Sequence, residues 1–507
     1  MNERTLHLFY TSDTHGHVFP VNYAAGKPEP SGLLNLANDL RKDGNTLVID
    51  GGDSLQGTPF IQYYLDHTAD FATHPVAAAF NAIGCDYFTL GNHDFNFGYD
   101  AIKRYLQAMN AVCLCANVED LRGELPLQKE TVRTLANGLR VGITGVVTDY
   151  VNVWEQAENI RDLRITDACA AARAACARLR TACDLCICIY HGGFEEDLAT
   201  GKRLSDSGEN IACKLARELD YDLLLTGHQH MPVEGVMIGG TFAVQPPANA
   251  GQYFAIMGSV AAGRAAFTSR LLPVGGSHPE EPYRTLLPLE QTVQQWLDLP
   301  IGSLCTAIPP EEKLPAALQG SQVADLFNQV ELDATGADFA CTSLGNDAVG
   351  LASPVTMRGV TAAYLFANTL VVLEVTEAVL RQALERCAAY FTLQNGAPQV
   401  SDCFLRPKIE HYNYDFYAGL AYTFDLRRPV GRRVTRLTKQ NGSPLGAGTF
   451  KLCTSNYRAT GTGGYEILQQ CPVLWRGSTE MPELVARYIR AHTPVPALHN
   501  ADMQIVW

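Results

Sequence analysis

The first half of the chain alternates short apolar runs with longer stretches of helical character. Each run is rich in β-forming residues and ends abruptly in polar residues, and the stretch after it favours helix. This alternation predicts a layered α/β fold. The strand-like runs are 6–10, 46–49, 87–90, 141–147, 185–190 and 223–226, and the helix candidates include 32–42, 101–109 and 167–181.

The pattern breaks at 274–282, where glycine, proline and charge replace periodicity. A helix-like stretch follows at 289–297, and the region beyond it has its own apolar runs, including 363–375 and 418–426. The length of 507 residues is several times the ~150 residues of a typical domain. We therefore predict three segments, which are an N-terminal domain 1–275, a linker with a connecting helix 276–300, and a C-terminal domain 301–507.

The composition favours a protein that is folded throughout and has no membrane span. The chain is 47% hydrophobic, yet it contains no uninterrupted apolar window of the ~18 residues that a membrane helix needs. The segment 1–10 lacks the features of an export signal. The fifteen cysteines lie in apolar stretches, as at 183–188, which is typical of reduced thiols in a core. We expect a cytoplasmic protein, with an exported form whose leader has been removed as the alternative.

The charge balance narrows the classes of partner. Lysine and arginine total 39 against 53 acids, so the net charge is 39 − 53 = −14. A field of that sign repels a phosphate backbone and disfavours a dedicated binder of nucleic-acid polymers. Small phosphorylated substrates stay compatible with it. We expect a monomer without a nucleic-acid or membrane partner.

Five of the six strand-like runs end in residues that bind metal ions. Loops at strand ends rest on a rigid sheet, which is where α/β folds place their chemistry. Five of the thirteen histidines of the chain fall in these segments. The segments are Asp13-Thr-His15, Gly51-Gly-Asp53, Gly91-Asn-His-Asp94, His191-Gly-Gly193 and Gly227-His-Gln-His230.

These residue types suit a pair of divalent cations. Two cations about 3.5–4 Å apart need a carboxylate that bridges them, with neutral imidazole and oxygen ligands around each. Such a pair activates water and clamps a phosphoryl group, so the predicted reaction is hydrolysis of a phosphate ester. The ligand set suits Mn, Zn, Fe or Co about equally. The predicted ligands are Asp53 as the bridge, Asp13, His15 and His230 at one cation, and Asn92, His191 and His228 at the other.

Taken together and in this order, the five segments resemble the calcineurin-like metallophosphoesterases. The resemblance implies a four-layer α/β/β/α sandwich for the N-terminal domain and the same seven ligands. It also implies that His93 is catalytic and either stabilises charge on the phosphoryl group or protonates the leaving oxygen. Asp94 is assigned to the same catalytic loop, with a supporting or structural role.

Two motifs of the second region extend the resemblance. The motifs Phe366-Ala-Asn-Thr-Leu370 and Asn456-Tyr-Arg-Ala-Thr-Gly-Thr-Gly-Gly-Tyr465 look like the C-terminal α/β substrate domain of bacterial 5′-nucleotidases and 2′,3′-cyclic nucleotide phosphodiesterases/3′-nucleotidases. That resemblance implies that Phe366 and Tyr457 sandwich a nucleotide base, with a stacking energy of about 1–3 kcal/mol. Asn456 and Arg458 are further candidate substrate contacts, although Arg458 could equally be exposed and touch nothing.

The sequence departs from this family at Asn96, where the 5′-nucleotidase branch carries an aspartate that pairs with the catalytic histidine. An amide cannot stabilise an imidazolium as a carboxylate does, so either His93 works with weaker support or another carboxylate serves. Asn96 is more similar to the cyclic phosphodiesterase branch, and so is the segment 412–415. The segment 342–347 stands where arginines that bind phosphate or base are expected. Which ester bond is cut is therefore open.

Three hypotheses follow from these observations. The leading one is a dimetal hydrolase that removes phosphate from nucleotides, as a 5′-nucleotidase, as a 2′,3′-cyclic nucleotide 2′-phosphodiesterase/3′-nucleotidase, or as both. A second is a metallophosphoesterase that acts on another small phosphate or sulfur ester. The third is a non-catalytic nucleotide-binding protein, which predicts a missing metal ligand, and none of the seven is missing.

Overall fold

The computed structural model describes residues 3–204, 208–347, 349–366, 368–406, 409–499 and 501–507. The chain divides into two compact units, Met1–Gln294 and Gln295–Trp507. The helix Glu280–Asp298 crosses this division and begins well before the predicted 289–297, with a kink at Glu281. Much of the segment predicted as linker is therefore helical.

The strands of the first unit correspond closely to the apolar runs of the sequence. In chain order the described strands are β1 Arg4–Thr11, β2 Val21–Asn22, β3 Lys27–Pro28, β4 Thr46–Asp50, β5 Tyr87–Phe88, β6 Val112–Leu114, β7 Val118–Asp120, β8 Leu127–Gln128, β9 Glu130–Thr134, β10 Arg140–Val147, β11 Leu163–Ile165, β12 Leu185–His191, β13 Leu223–Thr226, β14 Val233–Ile238, β15 Thr241–Gln245, β16 Gln252–Ala261 and β17 Arg264–Pro273.

The helices of the first unit lie between these strands. The alanine-rich α7 is representative, because the Asp167 side chain accepts a hydrogen bond from the Ala170 N–H and caps its first turn. The described α-helices are α1 Leu33–Asp39, α2 Pro59–Asp66, α3 Pro75–Ile83, α4 Gly98–Ala108, α5 Val151–Trp154, α6 Ala157–Ile160, α7 Ala168–Leu179, α8 Ala212–Glu218 and α9 Glu280–Asp298, with 3₁₀ turns at Thr68–Asp70 and Asn92–Phe95.

Two large sheets form the centre of the first unit, with strand orders β17-β16-β1-β4-β5-β6-β8 and β14-β15-β13-β12-β10-β9. Their facing sides share one apolar core, which includes Leu8, Ile49 and Ile187. Helices cover the outer faces, where Tyr105 of α4 packs on Phe88 of β5 and where α7 and α8 pack on β12. The predicted α/β/β/α sandwich is confirmed.

Parallel pairing dominates the strands that lead into the metal-binding segments. β1, β4 and β5 pair in parallel, and so do β12 and β13. The carboxyl ends of parallel strands lie at the same edge of a sheet, so the loops that follow them are neighbours. The strand predicted over 87–90 is only Tyr87–Phe88, because the chain leaves the sheet there to enter this edge.

The second unit is a smaller α/β structure. Its main sheet has the order β24-β19-β27-β21-β28, and a second sheet has the order β26-β25-β29. The described strands are β18 Pro300–Gly302, β19 Phe339–Ser343, β20 Val355–Thr356, β21 Thr369–Thr376, β22 Phe391–Gln394, β23 Ala397–Val400, β24 Asp415–Ala418, β25 Leu420–Asp425, β26 Val434–Lys439, β27 Thr449–Ser455, β28 Val473–Glu480 and β29 Asp502–Val506.

The helices of the second unit bury one face each against its core, to which α11 contributes Leu326 and Phe327. The apolar run predicted at 363–375 is not one element, because α12 ends at Ala363 and β21 begins at Thr369. The described helices are α10 Lys313–Gln319, α11 Gln322–Thr335, α12 Met357–Ala363, α13 Glu377–Ala388, α14 Asn456–Ala459, α15 Glu466–Gln469 and α16 Met481–His492, with 3₁₀ turns at Asp402–Phe404 and His411–Asn413.

Two expectations from composition can be compared with the fold. None of the helices in the described residues combines the length and the apolar character needed to cross a bilayer. All fifteen cysteines carry free thiols, and Cys186 and Cys188 are buried in β12 as core residues. The cysteines of the segment 183–188 therefore contribute to packing.

Candidate active site

The seven predicted metal ligands lie together at the carboxyl edge of the two sheets. They form two groups, and within each group one ligand atom from each residue lies within 4.8 Å of the others. Asn92 joins the second group, since its Oδ1 lies 3.1 Å from His191 Nε2 and 2.9 Å from His228 Nδ1. The groups are Asp13, His15 and His230, and Asp53, His191 and His228.

Ligand atoms in these groups face one another at short distances. His15 Nε2 lies 3.0 Å from His230 Nε2, and His230 Nε2 lies 3.4 Å from Asp13 Oδ1. Asp53 Oδ2 is buried and lies 3.1 Å from His191 Nε2, yet it accepts no hydrogen bond. A buried carboxylate oxygen without a hydrogen bond is costly. The arrangement therefore fits a divalent cation in each group.

The far nitrogens of three histidines show how the rings are oriented. His15 Nδ1 lies 2.9 Å from the carbonyl oxygen of Gln56, and His191 Nδ1 lies 2.7 Å from that of Gly51. His228 Nε2 lies 3.0 Å from Glu209 Oε1. Each of these oxygens can only accept, so the ring nitrogen beside it carries the proton and the other nitrogen presents a lone pair to the centre.

The backbone of the ligand loops is strained. Asp13, His15 and Asp53 have φ of 55°, 48° and 60°, and His228 and His230 have φ of 73° and 57°. Residues other than glycine avoid this left-handed region, and such strain persists where surrounding structure imposes it, often at functional sites. Five of the seven predicted ligands adopt it.

Two glycines of the motifs allow the loops to approach each other. A Cβ on Gly91 would lie 2.1 Å from Asp53 Oδ1, and a Cβ on Gly52 would lie 2.3 Å from the Gly91 nitrogen. Gly52 also has a φ of 93°. The glycines that precede Asp53 and Asn92 therefore let the two ligand loops pack in contact.

Asp94 supports the loop that carries Asp53. Its carboxylate accepts backbone N–H groups from Asp53, Ser54, Leu55 and Gly91 at 2.8–2.9 Å. Burial raises the pKa of this carboxyl, and these hydrogen bonds oppose the rise. Both carboxylate oxygens accept backbone N–H groups, which fits the supporting role among those expected for Asp94.

His93 lies beside the predicted ligands and is held by hydrogen bonds of its backbone and of its ring. Its backbone N–H donates to Asp53 Oδ1 at 2.7 Å, and its Nδ1 lies 2.9 Å from Asn96 Oδ1. The Asn96 Nδ2 in turn donates to Glu155 Oε2 at 2.7 Å. The histidine predicted as catalytic therefore lies at the edge of the metal centre.

Three residues of this site were missed by the sequence reasoning. Glu209 orients His228, Glu155 contacts Asn96, and the Trp154 ring stacks on His228 with centroids 5.3 Å apart. They lie in polar segments far from the strand-end motifs. No periodicity or spacing in the sequence connects them to the site.

The carboxylates and imidazoles of the candidate site shift one another's pKa values strongly. Burial and then the charge of His230 lower the pKa of His15 to about 3, so this ring is a neutral ligand. Burial alone would lower the pKa of His191, yet the Asp53 carboxylate raises it to about 10. The carboxylates thus favour positive charge beside them, which a divalent cation would supply.

In the second unit the two predicted stacking residues lie near a third aromatic ring. Tyr457 is 37% exposed, and the Phe366 ring lies 6.1 Å from that of Tyr412. Burial and then the neighbouring Tyr412 raise the pKa of Tyr457 to about 12. We call Phe366, Tyr412 and Tyr457 the aromatic surface. Ala367, in the first motif, lies outside the described residues.

The side chains of the other two residues predicted to contact substrate form hydrogen bonds within the protein. Asn456 Oδ1 accepts the backbone N–H of Thr369 at 3.2 Å and so ties the two motifs together. Arg458 is only 2% exposed, and its Nη2 donates to Asp415 Oδ1 at 2.8 Å. Of the two alternatives for Arg458, exposure to solvent is wrong, and contact with the substrate stays a prediction.

The glycine-rich part of the second motif encloses Arg458. Arg458 Nη1 donates to the carbonyl oxygen of Thr462 at 2.6 Å, and Nη2 donates to that of Tyr412 at 2.9 Å. Gly463 has a φ of 79°, and a Cβ there would lie 2.6 Å from Arg458 Nη1. The glycines let the loop close over a buried guanidinium.

Profiles of two known families match the chain. Calcineurin-like phosphoesterase matches residues 6–232, and the 5′-nucleotidase C-terminal domain matches residues 305–470. A solved Staphylococcus aureus protein, provisionally named a 5′-nucleotidase and crystallised with α-ketoglutarate, is 30% identical with a TM-score of 0.83. That likeness covers 99% of this chain and 100% of the other. The chain belongs to the phosphoester hydrolases that join a calcineurin-like phosphoesterase domain to a 5′-nucleotidase C-terminal domain.

Two curated relatives resemble the chain over nearly its whole length. The trifunctional nucleotide phosphoesterase protein YfkN of Bacillus subtilis is 23% identical over 96% of this chain, which spans only 38% of that protein. A 2′,3′-cyclic-nucleotide 2′-phosphodiesterase/3′-nucleotidase of Haemophilus influenzae is 22% identical over 99% of this chain and 87% of that protein. The family resemblance predicted from the motifs is confirmed, and the family implies divalent metal ions.

Proposed function

We propose that this chain hydrolyses phosphate esters of nucleotides at a centre of two divalent cations. The observation that carries the proposal is the convergence of two ligand groups around Asp53, whose Oδ2 is buried without a hydrogen bond. Asp13, His15 and His230 would hold one cation. Asn92, His191 and His228 would hold the other, with Asp53 shared between them.

The bound cations would supply Lewis-acid stabilisation of the phosphoryl group and a water that is nucleophilic at neutral pH. The residues of the chain orient the metal ligands and supply the proton donor. Gln56 and Gly51 orient His15 and His191 through their carbonyl oxygens. His93 is the residue beside the ligands to which we assign proton donation to the leaving oxygen.

Two observations support a nucleotide as the substrate. The aromatic surface presents a partly exposed ring, Tyr457, near Tyr412, whose ring lies 6.1 Å from that of Phe366, and such rings suit stacking on a base. The curated relatives that match nearly the whole chain are named for nucleotide or cyclic-nucleotide esters. Both 5′-monophosphates and 2′,3′-cyclic or 3′-phosphates are candidate substrates, and Mn, Zn, Fe or Co are the candidate metals.

The proposal is tested by phosphate release from 2′,3′-cyclic AMP, 3′-AMP, 5′-AMP and p-nitrophenyl phosphate, with each candidate metal added to stripped protein. We expect metal-dependent hydrolysis of at least one nucleotide at a higher kcat/KM than the aryl ester. Asp53→Asn removes the shared carboxylate and should abolish it. Asp184→Asn makes the same chemical change in a partly exposed ion pair with Arg140 and serves as the control.

Failure of every nucleotide with every metal would contradict the proposal. Faster hydrolysis of the aryl ester than of all nucleotides would keep the hydrolase but reject the nucleotide as its substrate. A change in the relative rates for Asn96→Asp would show that this position contributes to the choice of ester.

We also propose that the chain acts as a monomer in a reducing compartment. The fifteen free thiols, eleven of them buried, support the second part of this proposal. Light scattering of the purified chain tests the first part. Thiol titration after purification without reductant tests the second.

A further inference from the structure

We propose that Glu155 is a positioning residue for His93 and acts through Asn96, so that a relay of histidine, amide and carboxylate replaces a direct histidine–carboxylate pair. This inference rests on the proposed function, because it assigns Glu155 a part in the work of the same site. It begins from three side chains joined by two hydrogen bonds. His93 Nδ1 lies 2.9 Å from Asn96 Oδ1, and Asn96 Nδ2 lies 2.7 Å from Glu155 Oε2.

The polarity of the relay follows from what each group can do. A carboxylate only accepts hydrogen bonds, so Glu155 must face the amide nitrogen of Asn96. The carbonyl oxygen of Asn96 is then the atom that faces His93. Because that oxygen also only accepts, His93 must carry a proton on Nδ1. Its Nε2 is left to serve the substrate, and it donates a proton to the leaving oxygen from the doubly protonated ring, which then becomes neutral and keeps its proton on Nδ1. Glu155 therefore decides which nitrogen of His93 is protonated in the neutral ring.

Glu155 is itself held in place for this contact. Its Oε1 accepts the backbone N–H of Gln156 at 2.7 Å and the Asn159 Nδ2 at 2.8 Å. Asn159 Nδ2 also donates to the backbone carbonyl oxygen of Asn96 at 2.9 Å. The Glu155 carboxylate thus receives donors on both oxygens, and the segment that carries it is fixed to the loop of His93.

The neighbouring residue ties the same segment to the metal ligands. The Trp154 ring stacks on His228 at an interplanar angle of 25°, and Tyr150 contacts Trp154 edge to face. The short helices α5 and α6 therefore cover the site and bring Glu155 to Asn96. An amide alone could turn either its oxygen, which accepts, or its nitrogen, which donates, toward His93, and the carboxylate behind it removes that freedom.

The decisive experiment exchanges the amide and the carboxylate. Glu155→Gln leaves Asn96 free to turn its nitrogen toward His93, and this variant should lose about 10–100-fold in kcat, the range for an outer residue that orients an active group. The double variant Asn96→Asp with Glu155→Gln restores the hydrogen bonds between positions 93 and 96 and between positions 96 and 155. Its carboxylate now lies at position 96, directly beside His93. It should recover kcat to within about 3-fold of the wild type.

A comparison of esters with good and poor leaving groups tests whether Glu155 positions His93 or has only a general structural role. A general acid matters most for a poor leaving group, so the Glu155→Gln loss should be large for a nucleotide and small for p-nitrophenyl phosphate. KM, bound metal per chain and melting temperature should stay unchanged. Glu158→Gln makes the same change at an exposed side chain three residues away and should have no effect.

A readout that needs no activity keeps the relay separate from the proposed function. In ¹⁵N spectra of histidine-labelled protein, neutral His93 should carry its proton on Nδ1 in the wild type and on Nε2 in Glu155→Gln. If Glu155→Gln is active and changes neither the His93 tautomer nor the rates of hydrolysis, the relay is overturned. A protein with this tautomer switch but no hydrolysis of any ester would overturn the proposed function and leave the relay standing.

Discussion

The clusters of buried charge around Asp53 and Arg458 differ in which atoms face each other. Each contains a buried carboxylate oxygen without a hydrogen bond, Asp53 Oδ2 in the first and Asp415 Oδ2 in the second. In the first cluster the Nε2 atoms of His15 and His230 also face each other at 3.0 Å, as ligand atoms around a cation do. In the second cluster Arg458 donates through Nε, Nη1 and Nη2 to protein oxygens. The first arrangement fits a bound cation, whereas the second ties loops of the protein together.

This difference separates a binding site from a scaffold where composition does not. Both clusters combine buried acidic and basic side chains within glycine-rich loops, and both lie in motifs that resemble the same family. Only the first combines facing ligand atoms with strained backbone at Asp13, Asp53 and His228. Substitutions in the first cluster should therefore mainly reduce metal binding and activity, and substitutions in the second should mainly reduce stability.

The largest effect is expected for Asp53→Asn. The substitution removes the charge shared by both ligand groups, so activity and bound metal should fall by more than the roughly 10–100-fold typical of an outer residue. The metal-free protein should also lose stability, because the substitution leaves His191 buried without its charge partner. Elemental analysis, initial rates and urea unfolding in EDTA measure the three quantities. Wild-type metal content in the folded Asp53→Asn variant would contradict the assignment of Asp53 as the shared ligand.

The converse effect is expected for Arg458→Met. It leaves Asp415 buried without its partner and should cost about 3–5 kcal/mol of unfolding free energy. Metal content should stay at the wild-type value. The double variant with Asp415→Leu should regain most of the loss, because two apolar residues replace the ion pair. If Arg458→Met folds as stably as the wild type but loses substrate affinity, the guanidinium serves the substrate.

Metal removal should destabilise the first unit selectively. A cation present at 100 times its dissociation constant adds about 2.7 kcal/mol to the unit that binds it. EDTA should therefore increase hydrogen exchange of amides near Asp13 and His228, and Mn²⁺ or Zn²⁺ should reverse the change. Amides near Arg458 should not respond. Equal responses in both units would contradict the assignment of the ligand to the first.

The smallest effect is expected at the aromatic surface. Tyr457→Ala should weaken nucleotide binding by about 1–3 kcal/mol, which appears as a rise in KM with little change in kcat. Tyr457→Phe keeps the ring and should match the wild type. Trp475→Ala, at another ring that is 45% exposed, is the control for loss of an aromatic side chain. A fall in kcat without a rise in KM would exclude stacking on the base.

The sequence predicted which seven residues the fold brings together, because their signal is local. Each ligand lies at the end of a plain apolar run, as His191 is the last residue of β12 and Asp53 follows β4. Parallel pairing then brings the strand ends together without further information. The layered sandwich was predictable for the same reason, since one pattern of strand and helix repeats along the first half.

The residues around the ligands were not predictable, because their roles depend on tertiary contacts. Glu155 reaches Asn96 across 59 positions of sequence, and nothing in its polar segment marks it. Arg458 lies in a motif of polar and glycine residues, and such a residue is normally exposed. Its burial follows from Asp415, which the sequence does not connect with it. The early start of α9 was hidden by prolines and charges that normally break a helix.

The most direct test of the central claim is an anomalous-scattering map of the crystallised protein, collected at the absorption edge of the bound metal. We expect two peaks about 3.5–4 Å apart, with Asp53 bonded to both. One group of ligands, Asp13, His15 and His230, should surround the first peak, and the other, Asn92, His191 and His228, the second. A single peak, or two peaks that do not share Asp53, would contradict the account.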